Sequence, residues 1–387
     1  MKYVIAAVPF SDNLGDGVIA DNIESFLRRS NIPDIELCDI SYRNEVSTFK
    51  NKESTMEYFL KFPQFIRQLI VLLFFSLKYF RVGRKYLHTK LVNCDRLLIG
   101  GGQLISDVDL NFPLKLYFLI KMAEKFDIET RIVAVGVANK WNWLSKRLMK
   151  RVLTSSMIVN ISVRDELSKT NLQQYFNITN VEILPDPALM STLVTEYKYD
   201  DDNKSPEKVV GFGVADIGGL NYSSDIVNTH NDNDIKYIAS IVRKNNSLGI
   251  NVALFTNGAT EDERFLHESI IPMLKKEGLT YSYINRCKTP AELVKKISGF
   301  DFIVAYRLHA NIIASSFKIP YFAIGWDNKV ISFFKSQNRA ENVFKSLKDI
   351  DANYDEIIAL SSESLKLNID DVQNNYTNFI INSSKYR

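Results

Sequence analysis

The sequence has few cysteines and histidines, and its apolar stretches are short. Its 387 residues include three cysteines, which stand far apart and form no CxxC or Cys/His pattern: Cys38, Cys94 and Cys287. This spacing argues against a disulfide framework and a zinc site, and it fits a reducing compartment. The N-terminal apolar run at 3–8 is followed by a polar turn, so we expect no signal peptide there.

Neither sign of charge dominates. The chain has 48 lysines and arginines against 45 aspartates and glutamates, and a net charge of +3 argues against a nucleic-acid partner. Hydrophobic residues make up 46% and charged residues 24% of the chain, which is ordinary for globular proteins and excludes disordered and collagen-like classes. A chain of this length predicts about two domains.

The most apolar segment, residues 62–80, raises the question of a membrane. Its core, LIVLLFFSL, has nine residues between Arg67 and Lys78, whereas a membrane-spanning helix needs about 20. We therefore predict a buried or interfacial helix. Four basic residues lie at its end: Lys78, Arg81, Arg84 and Lys85. They leave open a peripheral contact of this segment with a membrane surface.

Short apolar segments alternate with amphipathic segments along most of the chain, and this pattern predicts parallel sheets covered by helices. A polar stretch at 199–206 breaks the pattern and predicts a boundary. We therefore predict an α/β protein with two doubly wound, Rossmann-like domains facing a cleft, residues 1–190 and 205–345, and a helical tail over 346–387. The predicted strands are 3–8, 35–40, 96–99, 131–137, 157–163, 209–214, 251–256, 280–284, 302–305 and 321–324.

In open α/β sheets, ligands bind beyond the carboxyl ends of the strands, so the residues after each predicted strand are candidates for the site. Five of these strand ends carry residues suited to anions, proton transfer or tight turns. They are the polar turn at 11–17, the glycine triplet at 100–102, Arg164, Arg307 with His309, and Lys329. We expect these residues to share one rim.

Several of these residues also have structural roles that the sequence leaves open. Gly101 and Gly102 either form a tight strand-to-helix turn or cradle a phosphate or carboxylate. Asn13 and Asp16 either cap the following helix or line the cleft. Arg164 ends a buried strand and needs an anion, which is either a protein carboxylate or a ligand.

His309 is the only histidine placed at the end of a predicted strand. Imidazole titrates near neutral pH and is suited to proton transfer, so we predict a catalytic role rather than a core position held by a backbone carbonyl. Lys329 shortly follows Asp327, either in a surface turn or at an anion site.

The pair Asp107 and Asp109 imitates the DxD metal motif of some sugar transferases. A lone DxD is frequent by chance, and this one lies at a predicted helix start. We therefore expect no metal at this pair. The sequence also contains no G-x-S-x-G elbow of a serine nucleophile.

Taken together, these motifs resemble those of the polysaccharide pyruvyl transferase family. The resemblance covers about residues 3–334, and its segments are NLGD at 13–16, GGG at 100–102, VRDELS at 163–168, DPA at 186–188, RLHA at 307–310 and WDNKV at 326–330. Their shared order and spacing make the resemblance specific. Trp326 and Asn328 stand where tyrosine and proline are common, and this departure bears on the shape of the acceptor site.

The resemblance implies a fold similar to the two-domain GT-B glycosyltransferases and a reaction with phosphoenolpyruvate. Studied members use this donor to place a pyruvate ketal across two hydroxyls of a sugar in a bacterial surface polysaccharide. The expected enzyme uses no metal and no organic cofactor, and its saccharide acceptor is either free or lipid-linked. We expect it in the cytoplasm, with a peripheral contact to the inner face of the membrane left open through residues 62–80.

By the same resemblance, His309 is the general acid/base, and Arg164 counts with it as catalytic. Arg164 and Lys329 are expected to hold the carboxylate and phosphate of the donor, with Arg307 as a further binding residue. Four residues are expected to shape the acceptor side: Asn13, Asp16, Gly101 and Gly102.

Two other functions stay open on the same fold. A GT-B glycosyltransferase would use a nucleotide sugar and place Arg307 and Lys329 on its diphosphate. It also needs a carboxylate for the ribose, and the sequence offers no clear candidate. A non-catalytic sugar-binding or scaffold protein is disfavoured because His309, Arg164 and Lys329 are all retained.

Overall fold

A computed structural model describes residues 1–46, 59, 61–194, 208–216, 218, 220, 235–362 and 367–382. The predicted boundary at 199–206 lies outside these described residues. The chain divides into two compact units. The first unit comprises Met1–Ser11, Ile19–Pro187 and Asp371–Arg387, and the second unit comprises Asp12–Val18 and Ala188–Asp370.

The first unit is built on a parallel six-stranded sheet with the order β2-β1-β3-β4-β5-β6. Its strands are β1 (Lys2–Ala7), β2 (Asp34–Asp39), β3 (Arg96–Gly100), β4 (Glu129–Val135), β5 (Ile158–Val163) and β6 (Glu182–Ile183). Its helices are α1 (Leu14–Arg29), α2 (Gln64–Lys78), α3 (Arg84–Leu91), α4 (Asn111–Phe126), α5 (Trp143–Leu153) and α6 (Glu166–Phe176), with a π-helical segment, Tyr79–Gly83, between α2 and α3. The central strands are buried because helices cover both faces of the sheet.

The second unit repeats this plan with the strand order β12-β11-β10-β7-β8-β9, again all parallel. Its strands are β7 (Val209–Gly213), β8 (Asn251–Phe255), β9 (Ser282–Tyr283), β10 (Phe302–Ala305), β11 (Tyr321–Ile324) and β12 (Val343–Phe344). Its helices are α7 (Ile235–Ser247), α8 (Thr260–Phe265), α9 (Ile271–Lys276), α10 (Pro290–Ile297), α11 (Leu308–Ser316), α12 (Asn328–Ser336), α13 (Leu347–Ala352) and α14 (Tyr354–Leu360), with a π-helical segment, Leu266–Ile270, between α8 and α9.

These two sheets confirm the predicted fold class, which is a pair of doubly wound α/β units. All ten predicted strands are present, with ends that shift by at most two residues. The strands that the sequence pattern missed are β6 and β12, which have two residues each and lie at sheet edges. Two residues are too few to establish a periodic pattern, so the sequence carries no signal for them.

The C-terminal residues pack differently from the separate tail that we expected over 346–387. Residues up to Asp370 belong to the second unit, whereas Asp371–Arg387 belongs to the first. The last helix, α15 (Ile369–Tyr376), is held there by the Tyr376 hydroxyl, which donates a hydrogen bond to the Pro185 carbonyl at 2.6 Å. The guanidinium of buried Arg131 binds the carbonyls of Phe379 and Ile380 beyond it.

The predicted helix at 62–80 is present as α2 and the π-helical segment that follows. No residue of α2 is buried, which excludes a core helix, and the interfacial alternative stays a prediction. Among the described residues, no helix has both the length and the apolarity that crossing a bilayer requires.

Lys115 is a buried lysine on the inner side of α4. Its ammonium group lies 5.1 Å from the ring centroids of both Phe75 and Phe112. Burial, together with the nearby positive charges of Arg43 and Lys78, lowers the pKa of Lys115 to about 7. The folded protein therefore favours the neutral amine, and the charged form opposes folding.

We expect Lys115→Met to stabilise the protein by about 2–5 kcal/mol below pH 7, with a gain that shrinks as the pH rises. Between the folded pKa of about 7 and the ordinary pKa of 10.5, the unfolded chain binds one more proton than the folded chain. The free energy of unfolding of the wild type therefore rises with pH across this window, and the full cost of burial is present below it. Urea unfolding at pH 6 and pH 9 measures both values.

Lys125→Met on the same helix is the matched control, because Lys125 is exposed and its substitution is expected to leave stability nearly unchanged. An equal gain from Lys115→Met at both pH values would contradict the prediction.

Candidate active site

Each sheet has a topological switch point, where successive connections leave neighbouring strands in opposite directions. This point lies between β1 and β3 in the first unit and between β7 and β10 in the second. Ligands of open α/β sheets bind outside the carboxyl ends of the strands at such points. The glycine triplet follows β3, and Arg307 and His309 follow β10. Both predicted motifs therefore lie at a switch point.

His309 is the second residue of α11, and its side chain is buried beneath Gly15. A Cβ atom at Gly15 would lie 2.4 Å from Nδ1 and 2.7 Å from Cγ of the imidazole, which is closer than van der Waals contact allows. Only glycine fits there without moving the ring. The loop that carries the NLGD motif thus packs directly on the imidazole, although about 290 residues separate the two in sequence.

The same loop is anchored to the end of β8. The Leu14 amide donates a hydrogen bond of 2.8 Å to the Asn257 carbonyl. Gly258 follows in a left-handed conformation (φ 93°), and a Cβ atom there would lie 3.0 Å from the Asp12 carbonyl oxygen. Two strand ends of the second unit, those of β8 and β10, therefore hold this loop in place.

Asn13 and Asp16 thus belong to the second unit, whereas we had expected them in the N-terminal domain on the acceptor side. Asn13 directly precedes α1, and its Oδ1 accepts a hydrogen bond of 3.4 Å from the Gly15 amide. Asp16 lies in the first turn of α1. These positions suit the capping role that the sequence had left open.

Arg307 pairs with a buried carboxylate of the same unit. Its Nε and Nη2 lie 2.8 and 2.9 Å from the two carboxylate oxygens of Asp262, which also accepts a hydrogen bond from the Asp216 amide. Burial by itself would lower the pKa of Arg307, but the negative charges of Asp262 and Glu261 outweigh it and raise the pKa. Arg307 therefore stays charged and ties together the loops after β7, β8 and β10.

Lys329 is the second residue of α12, beyond the end of β11. Its Nζ lies 4.5 Å from the ring centroid of Trp326 and 3.9 Å from a carboxylate oxygen of Asp327. Asp327 caps α12 by accepting a hydrogen bond of 2.8 Å from the Lys329 amide. The indole N–H of Trp326 donates to the Tyr306 carbonyl at 2.6 Å, which joins the loop after β11 to the loop after β10.

The glycine turn after β3 is required by packing within the first unit. Gly101 and Gly102 both have left-handed backbones, with φ of 72° and 68°. A Cβ atom at Gly101 would lie only 1.7 Å from Cγ2 of Ile19 on α1. The Gly102 carbonyl accepts a hydrogen bond of 2.7 Å from the Gly136 amide after β4. This is the tight-turn role that the sequence had left open.

Arg164, at the end of β5, is buried beside two carboxylates of the first unit. Its Nη1 lies 3.5 Å from Asp186 and its Nε lies 3.5 Å from Asp165. Asp165 also caps α6 by accepting a hydrogen bond of 2.7 Å from the Ser168 amide. Protein carboxylates thus face the guanidinium, at distances longer than those of direct charge-assisted hydrogen bonds. A role for Arg164 toward a ligand stays a prediction.

The DxD pair has structural partners. Asp107 accepts hydrogen bonds from the Asn142 amide at 2.8 Å and from the Ser145 hydroxyl at 2.6 Å. Asp109 forms an ion pair of 2.8 Å with Arg67. Within the described ranges, no three His, Cys, Asp or Glu side chains are grouped so that they could hold a metal ion. The expectation of a metal-free reaction stays a prediction.

Sequence reasoning missed Asn257, Gly258 and Asp262 as parts of this site. Asn257-Gly258 follows a predicted strand, and an Asn-Gly pair in this position indicates a turn. The loop of the NLGD motif packs against this turn. Asp262 lies in an acidic first helical turn, Glu261-Asp262-Glu263, which by itself indicates only a helix start. Asp262 and Arg307 are 45 residues apart in sequence, so no local sequence pattern predicts that they pair.

Solved structures with a similar fold define the class of fold. The UDP-GlcNAc 2-epimerase of Methanocaldococcus jannaschii, solved with UDP-GlcNAc and UDP, has a TM-score of 0.55 and 11% identity, with 98% of each chain covered. The S. aureus MnaA–UDP structure has a TM-score of 0.56 and 9% identity, and the match covers 98% of this chain and 96% of that one. The protein is thus a two-unit α/β protein of the GT-B class.

The sequence places the chain within that class. A family model described as polysaccharide pyruvyl transferase matches residues 13–328, and the chain therefore belongs to this family. The matched range contains all the predicted site residues except Lys329, which follows it directly. Curated protein sequences include no significant match to the chain.

We expect Gly101→Ala to destabilise the protein by about 2–5 kcal/mol, because the new methyl group overlaps Ile19 and the left-handed backbone is strained. Gly249→Ala is the matched control: Gly249 has a similar φ of 67° with no atom within 4 Å of its Cβ position, so only the strain of about 1 kcal/mol applies. Urea unfolding of both variants measures the difference, and equal losses would contradict the packing argument.

Proposed function

We propose that this protein transfers the enolpyruvyl group of phosphoenolpyruvate to a sugar of a bacterial surface polysaccharide, or of its precursor, and closes a pyruvate ketal with release of phosphate. Family membership supports a transferase that acts on a saccharide. The observation that carries the assignment of the chemistry is the packing of the NLGD loop on His309 at the switch point of the second sheet.

The donor requires positive charge and N–H groups, because it carries both a phosphate and a carboxylate. The amino ends of α11 and α12 follow the neighbouring strands β10 and β11, and helix amino ends favour anions. The Arg307 side chain makes no capping hydrogen bond to α11, because its guanidinium is directed to Asp262. Lys329, in the first turn of α12, adds an ammonium group. These groups form the proposed anion site.

In the proposed reaction, His309 donates a proton to C3 of phosphoenolpyruvate and leaves an oxocarbenium-like centre at C2. One sugar hydroxyl attacks C2, the C2–O bond to phosphate breaks, and the second hydroxyl closes the ketal. Two hydroxyl protons are released: one returns to His309 and the other leaves with phosphate. Gly15 positions the imidazole by packing against it, and Arg307 positions the loop from its pairing with Asp262.

Arg164 stays in the proposal as a second anion ligand, and Gly101 and Gly102 stay with the acceptor, all three in the first unit. Asp165 and Asp186 face the guanidinium, so a substrate anion would share it with them. We propose a metal-free reaction, because lysine and helix amino ends supply the charge that a metal would otherwise provide. A cytoplasmic location fits the three cysteines, which are free and buried.

We expect His309→Ala to lower turnover at least about 100-fold with little effect on folding, because the general acid is lost. Turnover is measured as phosphate released from phosphoenolpyruvate in the presence of a saccharide extract from the source cells. The matched control is His88→Ala, which removes an exposed histidine of α3 and is expected to leave turnover unchanged.

Gly15→Ala tests the positioning of the imidazole while His309 is kept. Its methyl group is expected to displace the ring and lower turnover about tenfold or more, with the thermal transition nearly unchanged. Near-normal turnover of His309→Ala would remove this residue from the mechanism.

We expect saturable binding of phosphoenolpyruvate and no binding of UDP in calorimetric titrations without metal. Lys329→Ala is expected to weaken donor binding about tenfold or more because the ammonium group is lost, and Arg164→Ala tests the second predicted anion ligand. Lys335→Ala, at the other end of α12, is the matched control. Binding of UDP alone would contradict the donor assignment and favour a nucleotide-sugar glycosyltransferase, which is the competing function on this fold.

A further inference from the structure

Helix α2 and the segment after it carry a continuous apolar stripe that faces solvent. Its members recur every three or four residues, as on one side of a helix: Phe62, Phe65, Leu69, Leu73, Leu77 and Phe80. Their exposed fractions range from 46% to 70%. Single exposed apolar residues are normal on protein surfaces, but a contiguous patch of large side chains marks an interaction site.

The opposite side of the helix is fixed to the first unit. Arg67 binds both carboxylate oxygens of buried Asp109, at 2.8 and 3.2 Å. The Lys78 ammonium donates to the Ser41 carbonyl at 2.8 Å. The helix cannot roll to bury the stripe without leaving the Asp109 carboxylate buried and unpaired, which is costly. The contacts of Arg67 and Lys78 on the inner side of α2 therefore keep the apolar stripe exposed to solvent.

Tyr79 and Gly83 extend this anchoring into the π-helical segment. The ring of Tyr79 stacks on that of Phe118 with centroids 4.0 Å apart. Gly83 is buried, and its Cα lies so close to Tyr42 that a Cβ atom would be 2.5 Å from the ring. The end of the stripe at Phe80 is thus as firmly placed as its centre.

The charged residues of the segment that carries the stripe have one sign. From residue 61 to residue 94 the chain contains no aspartate or glutamate, although acidic residues nearly balance basic ones in the whole chain. The same segment contains seven basic residues: Lys61, Arg67, Lys78, Arg81, Arg84, Lys85 and Lys90. Arg81, Arg84 and Lys85 are exposed and directly follow the apolar stripe.

We propose that the apolar stripe and these three basic residues dock the protein on an anionic lipid bilayer. Helix α2 has 15 residues and a length of about 22 Å, so it lies along the headgroup layer with the stripe toward the acyl chains. Arg81, Arg84 and Lys85 then meet the lipid phosphates. A second copy of the chain is a poorer occupant, because a two-fold interface pairs a surface with itself, and residues 61–94 contain no acidic side chain that could meet Arg81, Arg84 and Lys85.

The docking proposal does not depend on the ketal-forming reaction, and vesicle co-sedimentation of the full chain tests it directly. Phosphatidylcholine vesicles with and without phosphatidylglycerol are compared, at low and high salt. The protein is expected to sediment with the anionic vesicles, and less so at high salt because surface charges are screened.

Two variants separate the apolar and the charged contributions. Leu69→Ser/Leu73→Ser/Leu77→Ser is expected to reduce partitioning into anionic vesicles at least about tenfold. Arg81→Gln/Arg84→Gln/Lys85→Gln is expected to reduce it by a similar factor, with no effect on neutral vesicles. The control is Trp143→Ser/Val159→Ser, which changes exposed apolar residues of the same unit outside the stripe and is expected to bind like the wild type.

Failure of the wild type to bind anionic vesicles overturns the proposal, and so does equal binding by the triple serine variant. A wild-type dimer in sedimentation velocity that this variant converts to a monomer, without vesicle binding, assigns the stripe to a second copy instead. Phosphoenolpyruvate titration of the same variant is expected to match the wild type. A failed docking test therefore leaves the proposed reaction unaffected.

Discussion

The structure depends on one constraint of parallel sheets: the helix or loop that follows each strand must begin at the same edge. In both units this edge collects the polar residues that strand interiors exclude, because the strands are buried on both faces. The switch point of the second sheet lies between β7 and β10, so a ligand is expected at the carboxyl ends of these two strands. Arg307 and His309 follow β10, and this topology gives two otherwise ordinary residues a shared site.

The site of the second unit is assembled by pairs of groups that fit tightly rather than by one cluster of ligands. Glycine at position 15 allows a loop to rest on an imidazole, and the carboxylate of Asp262 holds the guanidinium of Arg307. A buried carboxylate that lost its arginine would carry an uncompensated charge, so this ion pair organises the loops around the histidine. The same logic applies to Arg164 with Asp165 and Asp186 in the first unit.

Charge and apolarity are arranged in opposite ways on α2 and in the cores. In the cores, apolar strands lie beneath helices, and buried guanidinium groups such as those of Arg131 and Arg164 face carboxylates. On α2, the charges of Arg67 and Lys78 hold the helix from within, and the large apolar side chains point outward. The exposure of this stripe fits the proposed docking on a lipid surface, since a contiguous patch of large apolar side chains marks an interaction site.

The sequence by itself determined the α/β class, ten of the twelve strands found among the described residues and the presence of each motif at a strand end. These features follow from local periodicity and from the chemistry of short segments, which neighbours along the chain decide. It also determined that Asn13 could cap α1, since capping depends on residues within one helical turn.

Only the tertiary structure decided where the N-terminal loop and the C-terminal residues belong. Asp12–Val18 groups with the second unit and Asp371–Arg387 with the first, although sequence position suggests the reverse for each. The tertiary structure also decided which carboxylate pairs with each arginine, and that Gly15 packs against the imidazole of His309. These pairings join residues from 20 to nearly 300 positions apart, and contacts over such distances depend on the packed fold rather than on any local pattern.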